Sequence, residues 1–176
     1  FARDRGYLSA ILQAPDIPPS SQKLAFSKSR AQMGGISPDQ PRALYFIDDR
    51  NVALVSAQFQ RASREQAFAV ITYCFMPNHV HLLVEGERDD ADLRRFTKCA
   101  KQYSGFYFRQ ATGRFLWQRY SFERVLQADE ATPAVAGYTI ANPVRAGLVR
   151  SPADYPFWGS FVYTREQLLD YVQWAA

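Results

Sequence analysis

Residues 67–86, AFAVITYCFMPNHVHLLVEG, decide how this chain is read. The first ten, AFAVITYCFM, are too rich in β-branched and aromatic types for a helix of that length, so 67–76 reads as a strand. Pro77-Asn78 is a turn pair. HVHLLVE, 79–85, then returns as a second strand and closes a β-hairpin. Both histidines of the chain, His79 and His81, sit on that returning strand. Strand side chains alternate between faces, so the two imidazoles share one face, about 6–7 Å apart along it. Val80 and Leu82 face the opposite way.

Two imidazoles so placed can hold one divalent cation between them. A packing reading competes, with one histidine at the hairpin mouth and the other a satisfied core residue. There is no third histidine, and Cys74 and Cys99 match no ligand or redox spacing, so a three-histidine zinc site is excluded. Any further protein ligand must be an oxygen of Asp, Glu, Asn or Gln. Such a set suits Mg²⁺ or Mn²⁺ chemistry on phosphates, with zinc still open.

On the N-terminal side of the hairpin, DDRNVALVSAQFQRASREQ (48–66) is helical. Val52, Val55, Phe59 and Ala62 recur at spacings of three and four behind an Asp48 or Asp49 cap. On its C-terminal side, DDADLRRFTKCAKQYSGFYFRQ (89–110) opens on acids that suit a helix start and ends before Gly113. YSFERVLQ (120–127) alternates as a strand, and TPAVAGYTIA (132–141) starts a helix with Thr132 as cap and Pro133 in the first turn. Pro143 interrupts that helix, Gly147 ends its extension, and REQLLDYVQW (165–174) is a terminal helix. One strand ahead of the first helix completes a split βαβ, ferredoxin-like α+β fold, an antiparallel sheet backed by helices. GYLSAIL, near the start, is the candidate for that strand. Residues 14–43, rich in Pro, Ser and Gly, read as loop or arm.

A second constellation lies in GYTIANPVRAGLV (137–149). Tyr138 and Asn142 are four apart, on one helix face and about 6 Å apart along the axis. A phenol can act as a covalent nucleophile, and an asparagine carbonyl is an acceptable hard-metal ligand. Equally, a helix tyrosine is commonly half-buried packing and Asn before Pro a cap. Between these constellations Arg94, Arg95, Lys98 and Lys101 form one cationic stripe. Arg109, Arg114, Arg119 and Arg124 follow among Tyr103, Phe106, Tyr107, Phe108, Phe115, Trp117 and Tyr120. Cations tracking phosphates beside stackable rings are how nucleic acid is gripped, although a solvated helix face accounts for the stripe too.

The totals agree. A chain of 176 residues, 15% of them aromatic, is most simply one globular domain. Its net charge of +4 and pI near 9.2 are compatible with a polyanionic partner. No apolar run reaches the roughly 18 residues that cross a bilayer, and no charged-then-apolar leader is present. The chain opens on Phe1 rather than Met, so preceding sequence is expected. Two unpatterned cysteines suit a reducing, cytoplasmic setting.

Taken together, MPNHVHLLVEG (76–86), FLWQRYSFERVL (115–126) and YTIANPVRAGLV (138–149), the last followed by SPADYPFWGSF, are similar to the IS200-like tyrosine transposases, and most of all to their REP-associated branch. The likeness runs over roughly residues 44–161. It implies a metal-dependent single-strand DNA endonuclease and strand transferase. His79 and His81 of the H-hydrophobic-H strand, with Asn142, would bind Mg²⁺ or Mn²⁺, and Tyr138 would form a 5′-phosphotyrosine on hairpin-forming repeat DNA. The expected DNA contacts are Arg94, Arg95, Lys98, Lys101, Arg114, Arg119 and Arg145. A non-catalytic hairpin-binding relic and a phosphodiesterase that uses water are the other readings. The family opens on a strand ending in an Arg-containing segment just before the first helix, and SPDQPRALYFIDDR holds no copy of it. The expected division is therefore an arm at 1–43, the catalytic unit at 44–161 and a C-terminal helix at 162–176.

Overall fold

The computed structural model describes residues 7–13, 44–117, 122–125 and 132–174. Asp48 starts the first helix, α1 (Asp49–Gln66), by accepting the Arg50 backbone N–H at 2.8 Å. A cap of this kind contributes about 1 kcal/mol. The helix ends where Ala67 takes the left-handed conformation and returns its N–H to the Ser63 carbonyl. The expected hairpin follows directly as β2 (Phe68–Met76) and β3 (His79–Gly86). Of the acids expected to open the next helix at 89, only Asp92 caps it, accepting from the Arg94 and Arg95 backbone N–H groups. That helix, α2, therefore runs Leu93–Thr112, and Gly113 closes it at φ 74°.

The first strand, β1, is Tyr7–Gln13, one residue along from GYLSAIL. It lies in the middle of the sheet. It pairs antiparallel with β3, from Tyr7↔Glu85 to Gln13↔His79, and with β4 (Phe122–Val125) on its other side. A two-residue strand, β5 (Trp158–Gly159), adds to β2, which gives the order β4-β1-β3-β2-β5 with every pair antiparallel. The first four strands have the expected ferredoxin-like order. Residues 7–13 thus share one sheet with the 44–161 segment. The 14–43 loop, Arg119 and Tyr120 lie outside the described residues.

Helix α3 (Thr132–Ile140) stops at Ala141, and a single turn, α4 (Asn142–Arg145), continues it with Pro143 inside. Proline has no N–H to carry on the helical ladder. The last helix, α5, is shorter than expected, Arg165–Tyr171, and begins at a Thr164–Gln167 capping box. Among the described residues no helix is long and apolar enough to cross a membrane.

What positions the site is the division of labour across the sheet. Val80, Leu82 and Val84 of β3 enter a core with Phe59 of α1, Phe96 and Phe108 of α2, and Val70 and Phe75 of β2. Both long helices therefore cover that face. A bulge between Val70 and Thr72 shifts the β2 register by one residue. Beyond it Phe75 joins the helix-packed core, whereas Cys74 and Met76 join a second core with Ile140 of α3, Tyr155, Trp158 and Leu168. Without the extra residue the later half of β2 would present the wrong set to each face. The segment after α4 closes the second face. The Tyr155 hydroxyl donates to the Phe75 carbonyl at 2.7 Å, and the Trp158 indole N–H donates to the Pro152 carbonyl at 2.6 Å.

Candidate active site

His79 and His81 alternate with Val80 and Leu82, so they belong to the second face, the one that α3 overlies. Their cross-strand partners are Met76 and Cys74. The period-two expectation of side-by-side imidazoles holds geometrically, and the rings approach further than strand spacing requires. The two Nε2 atoms are 3.0 Å apart and the ring planes are inclined at 73°. Asn78 accounts for part of this convergence. Its Oδ1 is 2.6 Å from His79 Nδ1, so Nδ1–H donates to it and the lone pair of His79 falls on Nε2, toward His81.

Burial pushes both imidazoles down, His79 to about 4 and His81 to about 3. His79 and the nearby Arg145 guanidinium add to the effect at His81. At neutral pH the pair is therefore uncharged, which is the form that ligates metal. A separation of 3.0 Å matches two adjacent ligands on an octahedral ion with bonds of about 2.1 Å. Without an ion, the contact is a hydrogen bond if His81 carries its proton on Nε2. Ligation then requires His81 to move that proton to Nδ1. Among the described residues no third His, Cys, Asp or Glu joins the pair. Cys74, beside His81, is unsuited. Its Sγ rests 3.9 Å from Met76 Sδ, and burial raises its thiol to about 12.

Tyr138 lies near the end of α3 and is 39% exposed, outside the buried clusters. Arg145, two turns further along, places its guanidinium carbon 4.1 Å from the centre of the Tyr138 ring. One cation thus touches the phenol and influences His81, linking the two constellations. Asn142 is held through the nitrogen end of its amide. Its amide N–H₂ donates to the Tyr138 carbonyl at 3.1 Å and the Thr139 carbonyl at 3.0 Å, capping the broken end of α3. No hydrogen bond joins it to either imidazole among the described residues, and its Oδ1 is the end of the amide left for a ligand. It fits as an oxygen donor by chemistry, while its cap explains its presence without a metal.

Of the expected DNA contacts, Arg145 is at this site. Arg94, Arg95 and Lys98 are exposed and Lys101 half-buried on α2, which covers the opposite face of the sheet, and Arg114 is exposed just past its end. Two features escaped the sequence reading. Asn78 reads there only as a turn residue, although an amide next to the first of two paired histidines was a visible signal. The Arg145–Tyr138 stack had its own signal in a spacing of seven, two helical turns, disguised by the break at Ala141.

The fold and these residues have counterparts in known proteins. The chain is 24% identical over 118 residues to a Haemophilus influenzae protein assigned by name to the REP-associated tyrosine transposases, an alignment taking in 56% of this chain and 62% of the relative. The chain thus spans under two thirds of that relative's length. A solved complex of a REP-associated tyrosine transposase with a REP hairpin superposes with a TM-score of 0.61 at 16% identity, covering 90% of this chain and 80% of that one. A crystal structure from Deinococcus radiodurans R1, named for a transposase, gives a TM-score of 0.48 at 14% identity over 81% of this chain and 94% of that one. The family model described as Transposase IS200 like matches residues 42–132, just over half of the sequence, and the chain belongs to that family.

Proposed function

We propose that this chain nicks and rejoins single-stranded DNA at hairpin-forming repeats, with Tyr138 as the nucleophile. The observation that carries this reading is the convergence of His79 and His81 Nε2 at 3.0 Å on the sheet face overlain by α3, whose exposed Tyr138 is stacked by Arg145, the cation whose charge also reaches His81. The relative of like fold that was solved on a REP hairpin supports the choice of substrate.

In this mechanism His79 and His81, with Asn142, are the residues that would hold Mg²⁺ or Mn²⁺. Bound there, the cation would draw charge from the scissile phosphate. Asn78 keeps the His79 lone pair aimed at the site. The Tyr138 oxygen attacks phosphorus in line, forming the Tyr–O–P bond as the P–O3′ bond breaks. The phenolic proton goes to solvent, and the departing 3′ oxygen takes up a proton to become a hydroxyl. Arg145 keeps a positive charge beside the attacking ring, where negative charge gathers in the transition state. Attack by a 3′-hydroxyl on the phosphotyrosine reverses the step and joins new ends, with no external energy source.

The test is incubation of the full chain with a single-stranded hairpin oligonucleotide and Mg²⁺ or Mn²⁺, followed by a denaturing gel. A DNA fragment linked to protein through its 5′ phosphate is expected, and Tyr138→Phe should remove it while binding persists. An undiminished adduct in that variant discards Tyr138. Cleavage without adduct indicates water as nucleophile, and salt-sensitive binding without cleavage indicates a hairpin-binding protein that does no chemistry.

A further inference from the structure

We infer that the outer face of α2 is a second nucleic-acid site, a stacking platform for single-stranded DNA on the side of the sheet away from the histidines. Arg95, Lys98, Gln102, Phe106 and Arg109 follow one another at spacings of three and four, which places them in one stripe along the helix. All five are exposed. Phe106 stands in the middle of this stripe at 56% exposure. Just beyond it Phe115 is 66% exposed, with the Arg109 guanidinium carbon 4.4 Å from its ring centre.

Two large rings left in water among cations are a poor solution for a solvated surface. A helix face that serves only to be wetted intersperses acids with its cations, since like charges three and four apart repel. Here the sequence from Leu93 to Trp117 contains six Lys or Arg and no Asp or Glu. The nearby acid of α1, Glu65, is already bound by Arg61 at 2.8 Å and by the Tyr103 hydroxyl at 2.7 Å. An anionic polymer satisfies the charges, and exposed aromatic planes satisfy both the rings and unpaired bases. Duplex DNA would use the cations and leave the rings uncovered. From Arg95 to Arg109 the stripe is about 21 Å long, the length of roughly six stacked nucleotides.

Position separates this site from the proposed chemistry. The sheet and the thickness of α2 put the stripe on the order of 20 Å from the imidazoles. A strand held here is not the segment being cut, so the two sites engage different parts of the DNA. The inference does not depend on Tyr138 acting as nucleophile.

It is tested by fluorescence anisotropy of the full chain with a fluorescein-labelled 20-nucleotide oligo-dT in EDTA, where no nicking occurs. Binding should be tighter than to a blunt duplex of equal length. Phe106→Ala with Phe115→Ala should weaken oligo-dT binding at least about tenfold and spare the duplex. Arg95→Gln with Lys98→Gln should lower the salt-dependence slope by about 1.4. The proposal is overturned if the two alanines leave oligo-dT affinity unchanged, or if Phe106→Leu with Phe115→Leu restores it in full, since leucine keeps apolar area but no ring. Displacement of oligo-dT by phosphatidylserine vesicles through the same two rings would likewise reassign the face to lipid. Failure here leaves adduct formation by Tyr138 unaffected, and absence of adduct leaves this platform standing.

Discussion

The two faces of the sheet are lined by the same two central strands and share little else. On one, Val80, Leu82 and Val84 are at most 1% exposed and share a buried core with Phe75 of the neighbouring strand and with Phe59 and Phe96 of the two long helices. Each such side chain gains about 1.5–3 kcal/mol from burial. On the other, the alternating residues His79 and His81 are half-buried and held uncharged, on the face overlain by α3 with its exposed Tyr138, whose ring Arg145 of α4 covers. The first face stabilises the strand strongly enough that the second can keep groups that burial disfavours. Period two allows one strand to do both, because neighbouring positions never compete for the same surroundings.

The division predicts that substitutions one residue apart on β3 fail in opposite ways. His79→Ala with His81→Ala should abolish metal-dependent cleavage, a loss of more than about a thousandfold, while the thermal midpoint stays within about 5 °C of the parent. Leu82→Ala should do the reverse. It removes buried volume at a position 1% exposed, so the domain should lose about 3 kcal/mol and roughly 6–12 °C in midpoint. The rate of adduct formation per folded molecule should be unaltered. Thermal melts and cleavage assays on the same preparations decide it. If the histidine variant unfolds and the leucine variant loses chemistry, the assignment of the two faces is wrong.

What the sequence discloses follows from how long a pattern runs. The hairpin and both long helices extend over enough residues for a period to declare itself, and the three-block likeness names the fold. β1 is harder, because seven residues stand ahead of a patternless stretch and only pairing with β3 and β4 makes them central. Two-residue β5 has no period at all. Within the site, the shared face of His79 and His81 is legible, but their 3.0 Å approach depends on ring rotations that Asn78 helps to set. The cationic stripe of α2 is visible as charge. Its distance from the histidines is not, since helical periodicity identifies the apolar face of a helix and not which side of the sheet receives it.

The polar face should also respond to acid where the apolar one does not. Each imidazole is kept neutral in the folded chain and takes up its proton near pH 6.5 once unfolded. Between pH 6.5 and about 4 the unfolded chain therefore binds more protons than the folded one, and stability falls as the pH falls through that window. In EDTA the two histidines together should cost about 1–2 kcal/mol on going from pH 7 to pH 5, after allowance for their partial exposure. Replacing both by glutamine should flatten the midpoint over that range. A slope that survives the replacement would place the titration in other groups.

The finest distinction within the polar face concerns Asn78, which touches no substrate and acts only through His79. Its Oδ1 holds the proton of His79 on Nδ1 at 2.6 Å. Without that acceptor the ring is free to rotate and to carry its proton on Nε2, where it would have to be relocated before ligation. Asn78→Ala should therefore weaken the response to Mn²⁺ about tenfold, at the low end for lost support of a ligand histidine. Saturating metal should recover most of the cleavage rate, because His79 and His81 remain. Asn78→Asp keeps an acceptor and should retain affinity near that of the parent. The measurement is the Mn²⁺ concentration at half-maximal cleavage, read beside the thermal midpoint. If the aspartate variant is as weak as the alanine, the side chain serves the turn after Pro77 and not the histidine.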